Sequence, residues 1–164
     1  MAFNFNYESP KVIAEIGCNH MGSMDIAKEL ILLAKEAGAG YVKFQKRNNL
    51  ELLTQEQYDA THPVSENSYG STYGEHRETL ELNVEWLPLL KKECEKYNVK
   101  FMSTPFDEPS LDLICEVGVD IIKVASFDLG NIPFLTKIAK KGLPVVISTG
   151  GGEFDVVEKS IKAL

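Results

Sequence analysis

Short apolar, β-branched runs of this chain each carry one or two side chains that a buried strand does not ordinarily hold. Glu15 sits in VIAEIG, Lys43 and Gln45 in YVKFQ, Thr104 in VKFMST, Lys123 in DIIKVA and Ser148 in PVVIST. Strand alternation puts Ile13 with Glu15, Tyr41 with Lys43 and Gln45, Ile121 with Lys123, and Val146 with Ser148 on common faces. Charges are seldom buried unless paired, so Glu15, Lys43 and Lys123 are expected around one shared pocket at the C-terminal ends of the strands. Two lysines converging on one pocket suit an anion. Ser103, Thr104, Ser126, Ser148 and Thr149 would add hydroxyl donors, and hydrogen bonds to charged oxygens are the strong kind. A ligand carrying both phosphate and carboxylate fits this inventory better than a neutral sugar alone. The structural alternative, a plain buried ion pair between Glu15 and one lysine, adds little net stability for its cost.

Other side chains carry weaker signals. His20, after Cys18 and Asn19 and near a helix start, is open between metal ligand, acid catalyst and hydrogen-bonded structural residue. His62 in ATHPV reads as exposed loop, whereas Tyr73 and His76 in TYGEH are candidate substrate contacts. Trp86 shares a helix face with Leu89 and Leu90 and reads as core. Cys18, Cys94 and Cys115 are odd in number without CxxC spacing, which argues against a zinc site or a disulfide framework. Cys94 and Cys115 are expected in the core as small hydrophobes.

The elements that must position these groups alternate. Strands are expected at 12–17, 41–45, 99–104, 120–125 and 144–149, and amphipathic helices at 24–37, 84–97, 108–117, 132–140 and from 153 onward. Gly38, Gly118 and Gly142 stand where helices should stop. The pattern calls for parallel strands with right-handed crossovers, either as an open doubly wound sheet or as part of a TIM (β/α)8 barrel. IAEIGCNHMGS has no GxGxxG leading into its helix, which favours the barrel. A complete barrel takes roughly 250 residues and eight strands. The 164 residues therefore read as its N-terminal portion, about the first five βα units. The long connection 46–83 leaves the C-terminal end of a strand, the face where barrel enzymes keep their sites, and reads as a lid or binding loop.

Composition narrows the partners. The 24 acidic and 17 basic residues leave a net charge of -7, which argues against a nucleic-acid backbone or an anionic membrane. No apolar run is long enough to span a bilayer. MAFNFNYESP lacks the basic segment and apolar core of a signal peptide, so a cytoplasmic location is expected.

AEIGCNHMGS, VKFQK, TYGEHRETLEL, STPFD, IKVASFD and PVVISTGG, in that order, resemble the sialic acid synthase family over nearly the whole chain from Val12 to Leu164. Members of that family condense phosphoenolpyruvate with an N-acetylated hexosamine, releasing phosphate. The resemblance implies that Glu15, Lys43, Gln45, Thr104, Phe106, Lys123, Ser126 and Ser148 lie at the active site. The lysines, threonine and serines would bind phosphoenolpyruvate, and Glu15 or Asp128 would move protons. It also implies a divalent metal, Mn2+ or Mg2+, held by histidines on later strands, a small C-terminal domain, and a homodimer in the full-length form. None of the metal ligands is expected within this chain. Where many members read GSGE or GSGD, this chain has Ala125-Ser126-Phe127-Asp128, a pattern that also resembles pseudaminic-type synthases. ISTGG likewise stands in place of ISTGM. Two other functions remain open on the residues alone: a class I aldolase using Lys123 as a Schiff-base lysine, and a non-catalytic half-barrel binding or assembly module.

Overall fold

A computed structural model describes residues 10–164. Residues 1–9, most of the segment on which the lack of a signal peptide was read, lie outside the described residues. Five parallel strands, β1 (Ile13–Gly17), β2 (Tyr41–Lys46), β3 (Lys100–Pro105), β4 (Ile121–Val124) and β5 (Val145–Ile147), form one sheet in sequential order among those residues. A doubly wound sheet reverses its strand order at a switch point; sequential parallel order is the barrel pattern.

Helices connect the strands. α1 (Met24–Glu36) begins at Ser23, whose hydroxyl accepts from the Ile26 amide, and Asp25 lies favourably in its first turn. Gly118, in the left-handed conformation at φ 84°, stops the helix before β4. One face of the sheet packs against the helices: Val42, Phe44, Phe101, Ile122 and Val124 join Ile31, Leu87, Leu90, Cys94, Leu111, Ile114, Leu135 and Ile138 in a continuous core. Cys115 and Trp86 pack against that core from half-buried positions. Alternation leaves Glu15, Lys43, Gln45, Thr104 and Lys123 on the opposite face. Ser103 pairs in register with Phe44 and shares its helix-facing side, so it does not join the hydroxyls facing the pocket.

The connection 46–83 differs most from its sequence reading. Lys46 still belongs to β2, and the rest folds into α2 (Asn49–Leu52), α3 (Gln55–Asp59) and α4 (Tyr73–Thr79). The reason is local capping. Thr54 with Gln57, and Thr72 with Glu75, each form a reciprocal capping box. The excursion also docks. A Cβ on Gly74 would run into the Tyr58 ring, and one on Gly22, at φ 69°, would collide with the Thr79 carbonyl. α5 (Trp86–Lys96) then returns the chain to β3, and α6 (Glu108–Val117), α7 (Ile132–Ala139) and α8 (Phe154–Ala163) complete the described elements.

Candidate functional site

Parallel register sets Glu15 opposite Lys43. Lys43 is 7% exposed; its Nζ lies 2.6 Å from Glu15 Oε2 and donates to Thr104 Oγ1 at 3.1 Å. On the far side, Lys123 Nζ donates to Ser148 Oγ at 2.5 Å and to the Val124 carbonyl at 2.7 Å. Burial holds the Lys123 ammonium below the usual lysine value, the Lys43 charge pushes it the same way, and Glu15 partly opposes both. The strand register puts Glu15, Lys43 and Lys123 on one face of the sheet, near enough for the first two charges to act on the third. Two ammonium groups against one carboxylate leave an excess of positive charge there, at a face with bonded hydroxyls on two sides.

Gly17 explains part of the geometry. It sits at an irregularity in the β1 ladder with φ 54°, and a Cβ there would press on Glu15 Oε1 at 3.3 Å and Gln45 Nε2 at 3.5 Å. Glycine lets the Glu15 carboxylate and the Gln45 amide share that spot. Gln45 Oε1 in turn accepts from Arg47 Nη2, while Arg47 Nη1 reaches Cys18 Sγ at 3.3 Å. The Arg47 guanidinium lies 4.1 Å from the Phe106 ring centroid, and Phe106 stacks on Phe127 with centroids 5.4 Å apart. The ends of β1, β2, β3 and β4 thus carry a connected rim from Glu15 to Phe127.

Two buried carboxylates hold this rim in place. Glu81 Oε1 accepts from Lys46 Nζ at 3.0 Å and from the Arg47 and Leu82 amides, tying the end of β2 to the end of the excursion. Asp107 accepts from the Asn48 amide at 2.6 Å with one oxygen and caps α6 at Ser110 with the other. Sequence reasoning missed Arg47, Glu81 and Asp107 as positioning residues. The dipeptide after VKFQ and the STPFD ending were the available signals, but nothing local shows that Glu81 returns to Arg47.

Other candidates are placed apart. Asp128, on the turn Ser126–Asp128 after β4, is 5% exposed; its Oδ1 accepts from Asn131 Nδ2 at 3.2 Å and its Oδ2 is buried without a partner. Burial raises its carboxyl above the usual aspartate value, and neither lysine figures among the causes. Ser126 on the same turn is exposed. His20 is buried, and its Nδ1 accepts from the Gly22 amide at 3.2 Å, so the ring anchors the β1–α1 turn; burial lowers its pKa. Tyr73 and His76 belong to an aromatic cluster inside the excursion. His76 lies 4.3 Å from His62 between ring centroids, stacks near Tyr73 and accepts from the Tyr69 amide. His62 is half-buried in that cluster rather than exposed, because His76 and Tyr73 cover it. The Tyr69 hydroxyl reaches Met21 Sδ at 3.6 Å, so the cluster touches the β1–α1 turn. None of the described hydrogen bonds or ion pairs joins it to Glu15, Lys43 or Lys123.

Comparison with known proteins adds an independent line. The NeuB family model matches residues 30–164. N-acetylneuraminate-9-phosphate synthase of Drosophila melanogaster is 39% identical over 157 residues, 96% of this chain and 42% of that protein. N,N'-diacetyllegionaminic acid synthase of Legionella pneumophila is 38% identical, over 92% of this chain and 42% of that protein. Among solved structures, an N-acetylneuraminic acid synthetase from Leptospira borgpetersenii, crystallised with citrate, superposes with a TM-score of 0.76 at 32% identity. It is matched over 92% of this chain and 48% of its own length. A truncated 3-deoxy-D-arabino-heptulosonate 7-phosphate synthase of Thermotoga maritima, at 14% identity and TM-score 0.60, shares the fold. The chain spans less than half the length of these relatives. Its sequential parallel sheet and its ordered strand-end motifs agree with the family match, and the chain belongs to the NeuB family, the sialic acid synthases.

Proposed function

We propose that the protein carrying this chain condenses phosphoenolpyruvate with an N-acetylated hexosamine, N-acetylmannosamine or a relative, to form a nine-carbon sugar acid and phosphate. One observation carries this reading: Lys43 with Thr104, and Lys123 with Ser148, face one space whose only bound countercharge among these groups is Glu15. Relatives named as synthases of such acids support the choice of substrates.

In this reading the two ammonium groups hold the phosphate and carboxylate of phosphoenolpyruvate, and the Thr104 and Ser148 hydroxyls orient them, positioning and preorganised charge being the main catalytic terms. C3 of phosphoenolpyruvate then forms the bond to the aldehyde carbon of the open-chain sugar. Water adds at C2, and phosphate leaves by cleavage of its C–O bond. Glu15, partly open to solvent and 2.6 Å from Lys43, is the nearest group for moving a proton. Gln45 and Phe106 line the sugar side. Asp128 enters as a proton carrier only if its buried carboxyl turns toward the pocket. Tyr73 and His76 would reach substrate by closure of the excursion. No group of three or more His, Cys, Asp or Glu that could hold a metal ion occurs among the described residues. The resemblance places the ligands of the Mn2+ or Mg2+ on later strands rather than in this set, and no step here runs through the metal. Homodimerisation of the full-length protein and a cytoplasmic location are parts of the same proposal; no helix among the described residues is long and apolar enough to cross a membrane.

A Schiff-base aldolase would require Lys123 Nζ to attack a carbonyl, and borohydride with pyruvate would then label it. The test of the synthase reading is titration calorimetry of phosphoenolpyruvate into the full-length protein. Lys43→Ala and Lys123→Ala should each weaken binding by roughly 1.5 to 3 kcal/mol, while Lys162→Ala, on exposed α8 beside Glu158, should not. Equal affinity in all three variants overturns the reading.

A further inference from the structure

We propose that Phe127, backed by Phe106 and Arg47, is a specificity-determining residue that receives the methyl of the N-acyl group of the amino sugar; this rests on the reaction proposed above. Phe127 is 67% exposed although it is a large apolar side chain. Exposed rings are common singly, but this one ends a built stack. Its ring is nearly parallel to Phe106, with an interplanar angle of 19°, and the Arg47 guanidinium also lies over the Phe106 ring.

The stack is rigid and engaged. Arg47 is held through Nη2 by Gln45, through Nη1 by Cys18, and by Glu81 Oε2 at 3.7 Å, and its guanidinium lies on the Phe106 ring. What remains open is the face or edge of Phe127, which offers neither donor nor strong acceptor. It therefore suits an apolar group of the ligand rather than a hydroxyl or a charge. Its position fits the second substrate. Phe127 lies on the turn after β4, and the stack runs back through Arg47 to Gln45, whose amide shares the Gly17 gap with Glu15. Phosphoenolpyruvate is charged and belongs at the lysines. The amino sugar approaching from the open side carries one methyl group in its acyl substituent, and that methyl matches the exposed ring.

The experiment uses the full-length protein with N-acetylmannosamine and N-formylmannosamine, which differ by that methyl, and reads phosphate release. The wild type should favour the acetyl sugar by roughly tenfold in kcat/KM, the discrimination usual for one methyl in an apolar site. Phe127→Ala should erase that preference through the sugar KM, with the phosphoenolpyruvate KM unmoved, and Phe127→Leu should restore part of it. Since Phe127 is exposed, the alanine variant should fold, which circular dichroism checks. An unchanged acetyl-to-formyl ratio in Phe127→Ala, or an equal rise in the phosphoenolpyruvate KM, overturns the inference while leaving the synthase reading intact. A wild type that releases no phosphate with either sugar overturns the synthase reading and this inference together.

Discussion

Lys43 and Lys123 share one face of the sheet, Lys123 two residues further along in register, but their electrical surroundings differ. Lys43 has a carboxylate at 2.6 Å, whereas Lys123 has only a hydroxyl and a carbonyl as hydrogen-bond partners, with a like charge nearby. Burial and that like charge lower the Lys123 pKa from 10.5. The sign of the consequence is definite. Between the lowered folded value and 10.5 the unfolded chain holds more protons on this group, so its strain on folding is relieved as pH rises through that window. Anion binding behaves oppositely, because it needs the ammonium form. Phosphoenolpyruvate affinity should fall on the alkaline side at a pH below 10.5, and Lys123→Arg, whose guanidinium stays charged, should remove that limb. Calorimetric titrations from pH 7 to 10 check it; identical alkaline profiles in wild type and Lys123→Arg would contradict the assignment.

The excursion between β2 and α5 is held by a few identifiable devices. Thr72 and Glu75 cap α4 reciprocally, so Thr72→Ala should cost about 1 kcal/mol and raise amide exchange there before it affects the sheet. His76 supplies a pH handle. Burial, then the neighbouring His62 and Arg77, hold its imidazole below 6.5, with Tyr69 and Tyr73 against the ring. A group with a lowered folded pKa protonates first in the open form. The excursion should therefore loosen as pH falls from 6.5 toward the lowered value. Hydrogen-exchange protection of residues 60–79 should drop over that range in the wild type and change less in His76→Asn. Protection equally sensitive to pH in the two proteins would show that His76 does not govern the opening.

At the scale of the whole molecule, the sheet has two open edges among the described residues, β1 and β5. Val12, Ile13 and Val146 expose apolar surface beside β1 and on β5, and Phe154 and Ile161 of α8 are exposed as well. Unpaired strand edges with apolar side chains call for further strands or a partner. The 164-residue chain alone, supplied with phosphoenolpyruvate, N-acetylmannosamine and manganese, is expected to show no synthase turnover. Water reaching the lysines would weaken the contacts that hold the anion. Phosphate release by the mass-verified chain at the rate of full-length relatives would show that the strand-end cluster suffices. Weak phosphoenolpyruvate binding by the chain is expected to remain, since both lysines and their hydroxyl partners are present.

Periodicity alone was enough to locate the five strands, because a β-branched run bounded by Gly or Pro is a local signal, and strand alternation was enough to put Glu15, Lys43 and Lys123 on one face. The ordered motifs were enough to identify the family. The sequence could not show that the 46–83 connection would be helical, since its short helices depend on capping pairs and on docking against the β1–α1 turn. It could not bring Glu81 back to Arg47, a pairing across 34 residues of chain. Nor could it separate Asp128 from the lysines: a residue five positions after Lys123 is near it in sequence, but the turn after β4 swings its carboxyl toward Asn131 at the start of α7. Strand faces follow from a two-residue period that each segment carries within itself. The rim, the fold of the excursion and the direction of Asp128 depend on which distant elements meet, and those meetings are settled by packing over the whole sheet.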